Sequence, residues 1–139
     1  MILKRGDFAG DWRLERAIDD RLSAQEGALD GQARFLPVEG SGLRYSECGL
    51  LRIGNAAPLE ARRRYHWQFS AGEIEVRFDD GRPFHSFVPG GRRPGTPHLC
   101  GEDLYRVVYD FTRFPDWQSI WIVTGPRKDY TMTTRYRRT

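Results

Sequence analysis

Polar and apolar residues alternate with a period of two through most of this chain, and turn residues interrupt the pattern at roughly 8–12-residue spacing. Successive side chains of an extended backbone point to opposite faces, so the pattern calls for antiparallel strands with one buried face. Leu59 to Phe69 shows it most plainly. Arg63, Tyr65, Trp67 and Phe69 point one way, and Arg62, Arg64, His66 and Gln68 point the other. The second set belongs to water, so the aromatic set faces a core and brings Arg63 with it. Glu73 to Phe78 repeats the alternation with Ile74, Val76 and Phe78 inward. Next comes Asp79-Asp80-Gly81-Arg82, whose Asp-Gly pair signals a two-residue hairpin turn. Folding there sets Phe78 opposite Pro83, Val76 opposite His85 and Ile74 opposite Phe87. His85 and Phe87 then lie on the core side.

Asp11 to Ile18, Gln32 to Val38, Leu43 to Ile53, Asp103 to Phe111, Trp117 to Thr124 and Asp129 to Arg138 read as further strands. On Asp103 to Phe111 the inner face is Tyr105, Val107, Tyr109 and Phe111. Asp19 to Gly31 is polar and reads as a loop or one short helical turn. Val88 to Gly101 carries three prolines and four glycines, which predicts an irregular binding loop or lid. Trp117 to Thr124 is apolar on both faces, so its inner side stays open; a tryptophan facing outward there would cover a partner or a homodimer interface. Sequential hairpins without a helical crossover predict an all-β fold. The expectation is a single antiparallel up-and-down β-barrel of about nine strands with little helix, spanning residues 1–139 as one domain.

Composition narrows the function classes. No apolar run approaches the ~20 residues of a membrane-spanning helix. The start, Met1-Ile2-Leu3-Lys4-Arg5-Gly6-Asp7, is charged at once and reads as no signal peptide, so a cytoplasmic protein without a membrane partner is expected. The net charge is +3, and the arginines fall in separate short groups rather than one basic face, which argues against a nucleic-acid partner. Cys48 and Cys100 match no metal-binding spacing and are expected as free thiols, one or both buried. His98 lies near Cys100 and Asp103 in no known metal motif, so a structural or rim role is expected and no metal. No phosphate-binding loop, dinucleotide fingerprint or nucleophile elbow is present.

Gly10-Asp11-Trp12 opens the first strand, and Arg135 and Arg137 lie on the last. In these residues the chain resembles the calycin superfamily, the lipocalins and fatty-acid-binding proteins, where a first-strand tryptophan packs beneath a last-strand arginine. The stretches from Phe78 to His85 and from Gly125 to Tyr130 are similar to an uncharacterised bacterial domain-of-unknown-function family of calycin type, which brings no established activity. The chain has Lys128-Asp129-Tyr130 where lipocalins carry Thr-Asp-Tyr, and Arg135-Tyr136-Arg137 in place of the Arg-x-Tyr of fatty-acid-binding proteins. The resemblance implies a barrel with Trp12 at its closed end and Arg135 or Arg137 as the ring's partner.

The inward faces are polar for a mere core: alternation places Arg16, Tyr45, Glu47, Arg63, Tyr65, His85, Tyr105 and Tyr109 there. An inward arginine needs a carboxylate, water or an anionic ligand. Glu47 neutralises one of Arg16 and Arg63, and the other is left for an acidic ligand. The leading expectation is therefore a cavity for a small amphiphilic, anionic organic molecule. Its lining would be this set with Trp67, Phe87, Trp121, Arg127 and Tyr130. Gly125 to Tyr130 is either a tight hairpin fixed by an Arg–Asp pair or a device presenting Arg127 at the mouth. Two other readings stand beside it. One is a small non-metal decarboxylase or isomerase using His85 with Glu47 or Tyr105 as acid and base; the other is a filled barrel acting as an interaction module. No cofactor is expected, save a haem reading with His85 as axial ligand.

Overall fold

The computed structural model describes Met1–Thr139 and is almost entirely β. A single-turn helix α1 (Arg5–Phe8) leads into β1 (Gly10–Asp20), β2 (Gln25–Pro37), β3 (Gly42–Ile53), β4 (Leu59–Ser70), β5 (Glu73–Phe78) and β6 (Pro83–Phe87). Then follow β7 (Arg92–Pro94), β8 (His98–Cys100), β9 (Asp103–Arg113), β10 (Asp116–Gly125) and β11 (Lys128–Arg138). They form one antiparallel sheet in the order β6-β5-β4-β3-β2-β1-β11-β10-β9-β7, with β8 paired to β9. First and last long strands pair directly, Trp12 opposite Arg138 through Asp20 opposite Tyr130, which curls the sheet into a nearly closed, calycin-like barrel. The remaining seam, between β6 and β9, is bridged by a short loop. Thr96 bonds Ser86 on one side, and Gly95 bonds Val107 on the other.

Burial follows the alternation. Trp12, Leu14 and Arg16 of β1 face in, as do Leu43, Tyr45 and Glu47 of β3 and Val107, Tyr109 and Phe111 of β9. The end carrying α1 is packed shut. Phe8 is fully buried, with the rings of Phe35, Trp67, Phe69, Phe111, Phe114 and Trp117 at centroid distances of 5.5 to 6.0 Å. Trp12 lies beside this cluster and donates its indole N–H to the Phe8 carbonyl at 2.8 Å. Arg5 donates to the carbonyls of Gly42 and Val38, tying α1 to the β2–β3 turn. The floor is thus a phenylalanine plug with the tryptophan as its neighbour.

Several expectations change. The partner of the Trp12 ring is Arg138, not Arg135 or Arg137, which lie opposite Glu15 and Arg13 with the outward parity of β1. There are eleven strands rather than about nine. Asp19 to Gly31 is a hairpin, with β2 beginning at Gln25; it reads as polar because only Leu29 of that stretch is buried. Val88 to Gly101 is not wholly irregular, since β7 and β8 both pair with β9. Pro94 is tolerated because β7 lies at the sheet margin, where one row of backbone donors is dispensable.

The β5–β6 hairpin keeps Val76 opposite His85 and Ile74 opposite Phe87 as expected. It slips beyond them, placing Arg77 opposite Pro83. The turn is closed by Phe78 N–H on the Arg82 carbonyl, with Gly81 at φ +90°, so three residues form the loop instead of two. Both Trp117 and Trp121 point inward, which settles the inner side that the sequence left open. Ile120 and Ile122 face out instead, beside Pro94 and Pro97. Cys48 and Cys100 are both exposed, not buried, Cys48 because it falls on the outer face next to inward Glu47.

Candidate functional site

Above the aromatic floor the interior becomes polar. Arg16 on β1 and Glu47 on β3 are each 6% exposed and form a bidentate pair, Nη1 to Oε2 at 2.8 Å and Nη2 to Oε1 at 2.9 Å. Arg16 Nε donates to Thr134 Oγ1 at 2.7 Å. Tyr45 donates to Glu47 Oε1 at 2.6 Å and shares a 2.9 Å hydrogen bond with Tyr136. Burial alone would raise the Glu47 carboxyl and lower the Arg16 guanidinium. Their mutual hydrogen bonds and charges reverse both, holding Glu47 below and Arg16 above their ordinary values. Burial pushes Tyr136 up to about 12, so these phenols stay protonated at neutral pH.

This layer floors a cavity of about 70 Å³ that opens toward the hairpin end of the barrel. Of the residues expected to line it, Arg16, Tyr45, Glu47, Arg63, Tyr65, Trp67, His85, Tyr105, Tyr109 and Trp121 do so. Phe87 does not: it stacks on Tyr109 with centroids 3.8 Å apart, below the cavity. Arg127 does not either, because it is exposed at the tip of the β10–β11 hairpin, whose Asp129 pairs with Arg21 at 2.9 Å rather than with Arg127. Tyr130 is half-buried on β11 and lies outside the lining.

The alternation missed Val76, Phe84, Trp117, Ser119, Met132 and Tyr136 as lining residues. Val76 is inward by the alternation of β5, and Met132 and Tyr136 share the parity of Tyr130 on β11, a signal available in the sequence; Trp117 and Ser119 lie on β10, whose inner side the sequence leaves open. Phe84 has outward parity on β6, but next to the slipped hairpin it folds over the mouth. It stacks on Phe78 at 4.5 Å and on Trp121 at 5.0 Å.

The charged groups divide sharply. Lys128 at the rim is spent on Tyr105 at 2.9 Å and Asp103 at 3.0 Å. Arg16 is spent on Glu47. Arg63, directly opposite Glu47 in the β3–β4 register, is solvent-exposed at the cavity mouth rather than drawn into the core as expected, because its long side chain reaches water at the open end; it has neither a hydrogen bond nor a carboxylate partner. Its charge still reaches inward, helping to lower Glu47.

His85 is buried, with Nε2 2.7 Å from the Tyr109 hydroxyl. Desolvation, followed by the charge of His98, pushes its pKa down to about 3, so the ring is neutral. His85 is therefore not paired with Glu47 or Tyr105, and the acid–base couple expected from the sequence is not assembled. The haem reading does not fit either, since Nε2 is engaged by Tyr109 and the enclosed space is about 70 Å³. His98 packs edge-on against Phe84 at 5.1 Å on the rim. No helix is long and apolar enough to cross a membrane.

Solved structures share this architecture. A DUF3598-family protein of unknown function from Nostoc punctiforme PCC 73102 superposes with TM-score 0.65 and 12% identity, over 97% of this chain and 48% of that one. The chain thus spans about half the length of that protein. The S-type phycobiliprotein lyase CPES from Guillardia theta is similar with TM-score 0.71 and 12% identity, over 97% of this chain and 90% of that one. No curated protein matches the sequence. The expectation of an uncharacterised domain of calycin type is met, and at this level of identity the likenesses show the fold. Residues 8–138 match the profile of DUF6314, a family of unknown function, and the chain belongs to that family.

Proposed function

We propose that this barrel binds a small organic carboxylate at its mouth, with the anion on Arg63 and the apolar part against Trp67, Phe84 and Trp121. The observation that carries the reading is the contrast between buried Arg16, paired with Glu47, and solvent-exposed Arg63 at the rim of the same cavity. Glu47 takes Arg16, and Arg63 stays unpaired at the entrance of an aromatic cavity. A guanidinium in that position donates in a fork that matches a carboxylate. Ligand pockets for drug-sized molecules span roughly 300–1,000 Å³. At about 70 Å³ the enclosed space takes only a short segment, and the remainder of the ligand lies between the mouth hairpins. The similar barrel of a phycobiliprotein lyase supports the scaffold as a small-molecule holder.

The test uses the emission of Trp67, Trp117 and Trp121, which line the cavity. Hexanoate and phenylpropionate are titrated against hexanol and phenylpropanol. The acids are expected to quench saturably and to bind about tenfold tighter than the alcohols, with that advantage gone in Arg63→Gln. Equal affinity of acid and alcohol, or an acid preference that survives Arg63→Gln, would sink the reading.

A further inference from the structure

Two side-chain polar atoms in this protein are buried without a hydrogen-bond partner, His85 Nδ1 and Trp117 Nε1, and both residues line the same cavity. A buried polar group left unpaired costs about 1–3 kcal/mol, and native interiors hold few of them. Both residues leave a donor over. Neutral His85 carries one N–H, and Tyr109 carries one O–H; their 2.7 Å bond uses one of these two protons. Tyr109 makes no second hydrogen bond, so the other proton has no acceptor in either tautomer of the histidine. The indole N–H of Trp117 adds a second surplus donor. Glu47, the carboxylate of the same wall, already accepts three hydrogen bonds from Arg16 and Tyr45.

A wall with spare neutral donors, and a carboxylate already lodged in it, selects the incoming group. A second buried carboxylate would sit near Glu47, with Arg16 already committed and Arg63 out at the mouth. A neutral oxygen that accepts without donating suffers neither penalty. We propose that the inner part of the cavity is a subsite for a carbonyl-type oxygen. The ligand of this barrel is then a small oxo-acid: a carboxylate held by Arg63, joined by a short apolar link to a neutral carbonyl that takes the surplus donors of the His85–Tyr109 pair and Trp117. This rests on the Arg63 reading above and adds the second polar group of the ligand. Water is the competing occupant, since the space admits about two molecules at ~30 Å³ each.

The experiment compares 4-oxopentanoate, 5-oxohexanoate and 6-oxoheptanoate, each with its parent acid lacking the oxo group. It uses tryptophan fluorescence for affinity and ¹⁵N-edited NMR for the Trp117 indole N–H, assigned with Trp117→Phe. At least one oxo-acid is expected to bind about tenfold tighter than its parent and to move the Trp117 indole proton downfield to saturation. In Trp117→Phe, and in His85→Phe as a second variant, the preference is expected to shrink severalfold. Oxo-acids and parents that bind alike, with no selective movement of the indole proton, would overturn this proposal and leave the Arg63 reading standing. An indole proton displaced equally by both would identify the subsite as a water site and overturn it too. If neither series binds, both readings fail together.

Discussion

Arg138 lays its guanidinium 4.0 Å from the centre of the Trp12 ring and donates to the carbonyls of Ala9 at 2.8 Å and Asp7 at 2.6 Å. One side chain from the last strand therefore clamps the first strand, its tryptophan and the end of α1. Gly10 belongs to the same joint: its φ is +113°, and a Cβ there would meet Arg138 Nη1 at 3.0 Å. Arg138→Ala is expected to lower stability by about 1–2 kcal/mol, read as a lower urea midpoint at unchanged slope. Arg135→Ala and Arg137→Ala, on the outer face, are expected to stay within about 0.5 kcal/mol.

The buried Arg16–Glu47 pair predicts a strong asymmetry between single and double replacement. Glu47→Leu or Arg16→Met alone strands an uncompensated group and is expected to cost about 3–5 kcal/mol. The double variant Arg16→Met/Glu47→Leu is expected to cost less than either single one, because no buried charge is left behind. Chemical denaturation of all four proteins closes the cycle. Additive losses would show that the two side chains do not act as a pair.

His85 makes stability depend on acidity. Its pKa falls from 6.5 to about 3 on folding, because burial penalises the imidazolium. The folded state thus holds fewer protons than the unfolded one between these values. The contribution is fully present above pH 6.5 and is lost as pH falls toward 3; by linkage it amounts to about 5 kcal/mol. Glu47, also depressed, adds a loss with the same sign at the acid end of that window, below its unfolded pKa near 4.3. In His85→Phe the stability-versus-pH curve is expected to flatten between pH 6.5 and 4.5, while the drop at lower pH persists. A wild-type curve already flat from pH 7 to 4.5 would contradict the buried neutral imidazole.

Both cysteines lie on the surface. Folded protein without denaturant is expected to react with two equivalents of a thiol reagent in a titration. The yield should fall to one in Cys48→Ser and in Cys100→Ser, with little change in stability. A thiol that reacts only after unfolding would place it in the interior.

Alternation was a sound guide wherever one face of a strand is wet. It placed Glu47, Tyr65, Trp67, Tyr105 and Tyr109 toward the interior because charged neighbours on the opposite parity leave only one register that buries the aromatic set. It was silent on β10, where Trp117, Ile120, Trp121 and Ile122 are apolar on both sides; the outward isoleucines there lie against Pro94 and Pro97 of the seam. It misled at Phe84, because one extra residue in the β5–β6 turn changes what lies across from that strand end. Polarity was an equally poor guide at Gln25 to Gly31, where a mostly solvated strand looks like a loop.

What this sequence determined by itself is the barrel and the chemistry of its interior: strand parity is a local property, written in every second residue. It also posed the question of two inward arginines and one inward glutamate. Only the tertiary structure decided the answer, because Arg16, Arg63 and Glu47 are brought together by pairing between distant strands. Register places Arg63 opposite Glu47 on the neighbouring strand, but the enclosed Arg16 forms the bidentate pair, and Arg63 is left at the open end. The same distinction holds at Trp12, whose arginine had to come from the last strand; which of Arg135, Arg137 and Arg138 meets the ring was settled by the parity of the β1–β11 seam.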